Sequence, residues 1–450
     1  MSEIQSARAI AADVQSGRSS AVNISKVAIE RVRALQPKLN ALTHFDAEMT
    51  LAEAKAVDAQ IGAGETLPLA GVPIIIKDTV WVEGRPITQG SRLFADAVPA
   101  RDARAVYLLK SAGAVILGIG ASSEFACKGV TTSLLHGTTH HPMDPDLTPG
   151  GSSGGPAVGV AASMAPLALG TDAGGSSRRP PAHVGVVGFK PSQDVIPYGP
   201  GYPEPFWNIA VLAPIARDVA DTALMFELLS SGPTAAALLP APEDLKSLRI
   251  AFAPTLGLDA KMDTSSISAL AMAAERFRAA GFDIADAAPA WPDGAGPGDA
   301  MPLQWAGLAA LYGTRWQAAP DDFDPDIGTQ IEAGLRLSGA DVANALEASR
   351  KMRETMRAFM DEYDLVLSAT TPCAAWPSVQ LGPETIGGAP AAPRDHAAFT
   401  AQFNHAGLPA ISIPCGVSET GLPLGLQIGG GFGRDRTVLG AAAAFEHLLQ

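Results

Sequence analysis

Apolar positions at helical spacing open the chain. Val22, Ile24, Val27, Ala28, Val32 and Leu35 mark one face of a helix that Pro37 is expected to close. The pattern then changes. Val72 to Ile76 is an unbroken apolar run ending in Lys77 and Asp78, and it reads as a buried strand that delivers two charges at its end. Asp102 is placed to cap a helix carrying Ala105, Val106, Leu109 and Ala112, with Gly113 as its stop. Ala114 to Leu117 is the next strand, a helix follows Gly154, and strands are expected at Pro166 to Leu169 and near Val186. Strands alternating with helices predict an α/β fold: a single large domain with a mixed, mostly parallel β-sheet covered by helices on both faces.

From Ser231 the texture changes. Residues 231–244 read as a loop, Leu248 to Phe252 as a strand, and Thr264 to Ala280 as a helix ended by Gly281. A Pro/Gly-rich loop over 289–300 leads into helices that run to about Tyr363. Strand-like runs return at Leu365 to Ser368, Ala410 to Pro414 and Leu424 to Ile428. The expected organisation is one domain over residues 1–450. Its core is 60–230, a more variable and partly helical region covers it over 231–363, and 364–450 returns to the core.

Composition narrows the function. Apolar residues make up 47% of 450, enough for an ordinary core. Lysine and arginine total 32 against 46 acids, a net charge of −14 with no basic run. Nucleic acid and anionic membrane are poor partners for such a chain. Cys127, Cys373 and Cys415 are too far apart for a disulfide framework or a metal knuckle. The first residues lack the apolar core of a signal peptide, and Gly154 to Gly170 is too short and too poor in large side chains to span a bilayer. A cytoplasmic location is expected. No phosphate-binding loop is present, and the adjacent His140 and His141 are a poor geometry for zinc, so neither metal nor cofactor is expected. Glycine (46) and proline (36) exceed the average, which raises the question of where the backbone must come close to something.

Two serine clusters in glycine-rich settings answer it: Gly150-Gly151-Ser152-Ser153-Gly154-Gly155 and Gly174-Gly175-Ser176-Ser177-Arg178-Arg179. Glycine beside serine lets backbone N–H groups converge on a reacting carbonyl. Residues 150–154 match the G-x-S-x-G elbow, but that motif needs a strand before it, and Pro142, Pro145 and Pro149 argue against one. No lysine has a serine three residues before it, so the S-x-x-K pattern fails. The second cluster has the better context. A strand and the turn Thr171 to Gly175 lead into Ser176, where the N–H groups of Ala173, Gly174, Gly175 and Ser176 can meet a carbonyl oxygen.

Lys77 at a strand end, GGSSGG, GTDAGGSSRRP and GVVGFKP together resemble the amidase signature family. That family contains amidases, fatty-acid amide and aryl-acyl amide hydrolases, and the A-type chain of the glutamyl-tRNA amidotransferase. PKLNALTHFD, LAGVPIIIKDTVWVEG and NHAGLPAISIPCGVSETGLPLGLQIGG carry the resemblance over nearly the whole chain. It implies a Ser-Ser-Lys triad. Ser176 would be the nucleophile, Ser152 the bridging serine on a cis peptide bond, and Lys77 the base acting through Ser152. Ser153, Asp172 and Arg178 would support the loop, and Lys190 is read as structural. An ordinary lysine, with a pKa of about 10.4, is a poor base at neutral pH. Burial beside Ile74, Ile75 and Ile76 would disfavour its charge.

The implied activity is hydrolysis of a linear carboxylic amide, with a small amide as the only required partner and room for a homodimer. Two alternatives stand beside it: the A-type component of a glutamyl-tRNA-like amidotransferase, and a non-catalytic binding protein on the same fold. Gly118-Ile119-Gly120-Ala121 replaces a GKTN sequence frequent in the family, which weakens the amidotransferase reading. Arg179 is a second arginine where many members carry an apolar residue. It binds a substrate carboxylate or pairs with a surface acid. Phe125, Thr131, Thr132, Phe206, Trp207 and Trp305 are the candidates for the acyl pocket.

Overall fold

Pro73 and three isoleucines form a strand, Pro73–Lys77, buried along its whole length. Ile74 and Ile76 pack into the main core, while Ile75 packs into a second core on the opposite face. Side chains alternate across a pleated strand, so a continuous apolar run is what a strand covered on both faces requires. Leu167 and Leu169 against Ala168 repeat the pattern one strand away. The computed structural model describes residues 5–232, 239–240 and 242–450.

Eleven strands form the main sheet. In chain order they are β1 (Leu42–His44), β2 (Pro73–Lys77), β3 (Val115–Gly120), β4 (Leu167–Asp172), β5 (Val187–Lys190) and β6 (Val211–Ala216). They continue as β7 (Ile250–Phe252), β8 (Ile284–Asp286), β9 (Leu365–Ala369), β10 (Ala410–Val417) and β11 (Pro423–Gly430). Their order across the sheet is β1-β3-β2-β4-β6-β5-β10-β11-β9-β7-β8. The sheet is mixed. Its parallel pairings lie in two blocks, β3-β2-β4 and β9-β7-β8, and the remaining neighbours pair antiparallel. Connection length explains the difference. A short turn joins β10 to β11, as a hairpin allows, whereas the helix Thr264–Ala279 carries the chain over from β7 to the parallel β8.

Helices cover both faces. Ala21–Leu39 and Gly154–Ala161 contribute Ala28, Val32, Ala157 and Val158 to the second core. Val219–Ser231 and the C-terminal Asp435–Leu449 pack Leu228, Val438 and Phe445 into the main one. Within 231–363, two short strands extend the sheet, followed by long helices at Met301–Ala318, Pro325–Arg336 and Gly339–Glu362. Residues 233–238 and 241 of the expected 231–244 loop lie outside the described residues.

Three local expectations are corrected. Pro37 does not close its helix, which runs through it to Leu39 and ends where Asn40 turns left-handed at φ 45°. Val27 is 53% exposed and is not part of the buried face. Asp102 does not cap the helix Arg104–Ser111, which begins after Ala103; its carboxylate accepts instead from the Glu83 N–H and from Lys110 Nζ. The sequence reading also missed β1, β6 and β8.

Candidate active site

Adjacent parallel strands set the site. Ile76 of β2 lies opposite Leu169 of β4, so Lys77 stands abreast of the following residues, Gly170 and Thr171, at the carboxyl ends of both strands. That edge is where ligands bind in open α/β sheets. Lys77 is fully buried. Its Nζ lies 2.8 Å from Ser152 Oγ and 2.8 Å from Thr171 Oγ1. Burial pulls its pKa down to about 7, against the opposing pull of Asp172 and Cys127. Neither Asp78 nor Asp172 pairs with it. Asp78 accepts from the N–H groups of Thr88 (2.6 Å) and Gly90 (3.0 Å) and from the Thr88 hydroxyl (2.5 Å), and burial raises it to about 6.

The loop before the helix Gly154–Ala161 carries Ser152 and Ser153. The Gly151–Ser152 peptide is cis, as the resemblance implies. Close approach explains the glycines here. A Cβ on Gly151 would fall 2.6 Å from the Val130 carbonyl carbon, and one on Gly155 would fall 2.2 Å from the Ala121 nitrogen. Ser153 Oγ donates to the Thr171 carbonyl at 3.2 Å and lies 3.2 Å from Ser177 Oγ, so it ties the two serine loops together.

The second loop is held by charge. Arg178 and Asp172 are fully buried and joined through two contacts of 2.9 and 3.0 Å. Arg178 also donates to the Thr400 carbonyl, Gln427 Oε1 and Asn404 Oδ1 at 2.7–2.9 Å. Burial works to raise the Asp172 pKa, but the Arg178 guanidinium and the hydrogen bonds hold the carboxyl well below its usual range. A charge pair in such a setting needs its remaining donors and acceptors satisfied, and this one has them.

Among the described residues, the N–H groups of Ala173, Gly174 and Ser176 form no hydrogen bond. Gly175 departs from expectation. Its N–H donates to Asp172 Oδ1 at 2.7 Å, so it is not free to meet an oxyanion. Its place in the loop is conformational: φ is +111°, and a Cβ there would fall 2.2 Å from Thr400 Oγ1.

Two cavities meet at Ser176. The smaller, about 20 Å³, is also lined by Ser152, Thr171, Phe125 and Phe206. The larger, about 230 Å³, is lined by Ala173, Gly174, Arg179 and Phe206 and by Met301, Leu303 and Arg394. Phe125 is therefore at the site, stacked on Tyr312 with ring centroids 4.0 Å apart. Four pocket candidates are corrected. Thr132 lines neither cavity and pairs with Thr138 in a short two-stranded sheet. Thr131 lines neither cavity; it donates to the Gly150 carbonyl and accepts from the Gly154 N–H, bracing the Ser152 loop. Trp207 is 46% exposed and turned outward, with Nε1 on the Leu303 carbonyl, and its neighbour Phe206 lines both cavities instead. Trp305 is absent from both walls, where Met301, Leu303 and Gln304 stand for its helix. Of the histidine pair, His141 bonds the His183 carbonyl at 2.9 Å and His140 bonds the Pro145 carbonyl at 2.7 Å.

Sequence reasoning missed Thr171, Thr400, Asn404 and Arg394. Thr171 and Asn404 lie inside the GTDAGG and NHAGLP stretches, and only the contact to Lys77 or Arg178 distinguishes them.

Known proteins match along almost the whole chain. The family model described as Amidase matches residues 24–439. An acylamidase of Rhodococcus erythropolis is 36% identical, over 98% of this chain and 94% of that protein. The A-type chain of a glutamyl-tRNA(Gln) amidotransferase from a Synechococcus species is 32% identical, over 96% and 95%. A crystal structure of an amidase superposes with a TM-score of 0.90 at 26% identity, covering 99% of this chain and 100% of the other.

Proposed function

The chain belongs to the amidase family, and from that premise we propose that it hydrolyses a carboxylic amide through an acyl-enzyme on Ser176. The observation that carries this reading is the 2.8 Å contact of a buried, easily deprotonated Lys77 with Ser152, which shares a cavity wall with Ser176. Neutral Lys77 accepts a proton relayed through Ser152, and Ser176 Oγ attacks the amide carbonyl. The free N–H groups of Ala173, Gly174 and Ser176 stabilise the oxyanion that forms. The C–N bond then breaks as Ser152 returns the proton to the departing nitrogen. Water attacks the ester on Ser176 and gives the acid, and the serine is regenerated. Asp172, Arg178 and Ser153 hold the two loops in place. No step calls on a metal or an organic cofactor.

Incubation of the purified chain with aliphatic and aryl amides, read by release of ammonia or amine, tests the reading. Turnover by the chain alone, lost in Lys77→Ala, is expected. A chain inert toward every amide would contradict it. Ammonia transfer that requires a partner protein and charged tRNA would favour the amidotransferase reading, which the similarity to A-type amidotransferase chains supports.

A further inference from the structure

We propose that the substrate is the primary amide of a short dicarboxylic acid, with its free carboxylate bound by Arg179; this rests on the amide-hydrolase reading above. Arg179 lies one turn after Ser176, is 5% exposed, and lines the larger cavity. Its guanidinium is poorly satisfied. Nη2 reaches the Gly151 carbonyl only at 3.4 Å, and Nε has no partner among the described residues. No carboxylate forms an ion pair with it there, whereas its neighbour Arg178 is fully paired with Asp172. A buried cation without an anion is costly, and its site is completed by an anion that enters with the ligand. Arg394 lines the same cavity and is likewise without an ion pair among the described residues; it spends Nη2 on the Cys127 carbonyl at 3.0 Å. The third cation of that wall, Lys128, is already neutralised by Asp324 at 2.5 Å.

The two cavities assign the two ends of the substrate. Ser152, the group that returns a proton to the leaving nitrogen, faces only the smaller one, about 20 Å³. Such a space holds one molecule of the size of water or ammonia. Arg179 faces only the larger one, which therefore takes the acyl part. Its wall is apolar at Phe206, Ile209, Met301 and Leu303, which suits a methylene spacer. The reaction balances: amide and water give a dicarboxylate and ammonia.

The test compares a series of half-amides, succinamic acid among them, with their neutral isosteres, butyramide among them, by ammonia release. The expected result is a kcat/KM preference of about tenfold or more for the half-amide. That preference collapses in Arg179→Gln and is partly kept in Arg179→Lys. The unsubstituted chain alone already decides, whatever the folding of the variants. A neutral isostere turned over as well as the half-amide would overturn the proposal while leaving the amidase reading intact. A preference unchanged in Arg179→Gln would remove Arg179 from it. Absence of any amide turnover, with no labelling of Ser176 by a fluorophosphonate, would defeat the underlying reading instead.

Discussion

Lys77 Nζ lies as close to the hydroxyl of Thr171 as to that of Ser152, 2.8 Å in each case. The two contacts fix the nitrogen between β4 and the Ser152 loop. Thr171 thus positions the base, and no step of the proposed mechanism passes through its hydroxyl. Thr171→Val keeps the shape and removes one hydrogen bond, worth about 0.5–1.5 kcal/mol. A two- to tenfold loss, to about that order, is expected in kcat with little change in KM, and Thr171→Ser restores it. A purely structural threonine would instead lower the melting temperature and leave the kinetics of the folded fraction unchanged.

The pKa of Lys77 sets the direction of the pH dependence. Burial lowers it to about 7 from the ordinary lysine value of 10.5. Only the neutral amine accepts a proton, so kcat/KM rises as pH climbs through about 7 and levels off above it. The profile on a substrate that does not titrate in this range checks it. An acid limb that continues to rise toward pH 10 would place Lys77 in its ordinary, charged state at neutral pH.

Asp172 and Arg178 illustrate a different dependence. Asp172→Asn leaves a fully buried guanidinium without its counter-charge. The expected loss of stability is about 3–5 kcal/mol, read by urea denaturation. Replacing both residues, as in Asp172→Asn with Arg178→Met, recovers part of it if the cost is the unpaired charge. A loss below about 1 kcal/mol in the single variant would show that the pair is not what holds the loop.

The legible parts of this chain are those where one short stretch dictates its own geometry. Val72 to Ile76 reads as a strand because every residue is apolar, and the structure buries all of it. The serine loops read as special because glycine flanks them, and Gly151, Gly155 and Gly175 are indeed where a Cβ would collide. Contacts between distant segments were not legible. Nothing local distinguishes Asn404, which meets Arg178 across the fold, or Arg394, which reaches the cavity from a loop. Aromatic residues misled for the same reason. Trp207 is as apolar as Phe206, but its side chain turns to the Leu303 carbonyl and away from the cavity. Pro37 misled too: the helix continues through it to Leu39, although proline has no N–H to offer the carbonyl of Arg33.

In the proposed reaction Ser176, not Ser152, becomes acylated. Treatment of the chain with a fluorophosphonate, followed by mass-spectrometric location of the adduct, tests it most directly. The adduct is expected on Ser176, with labelling abolished in Ser176→Ala. An adduct on Ser152, or full labelling of Ser176→Ala, would contradict it.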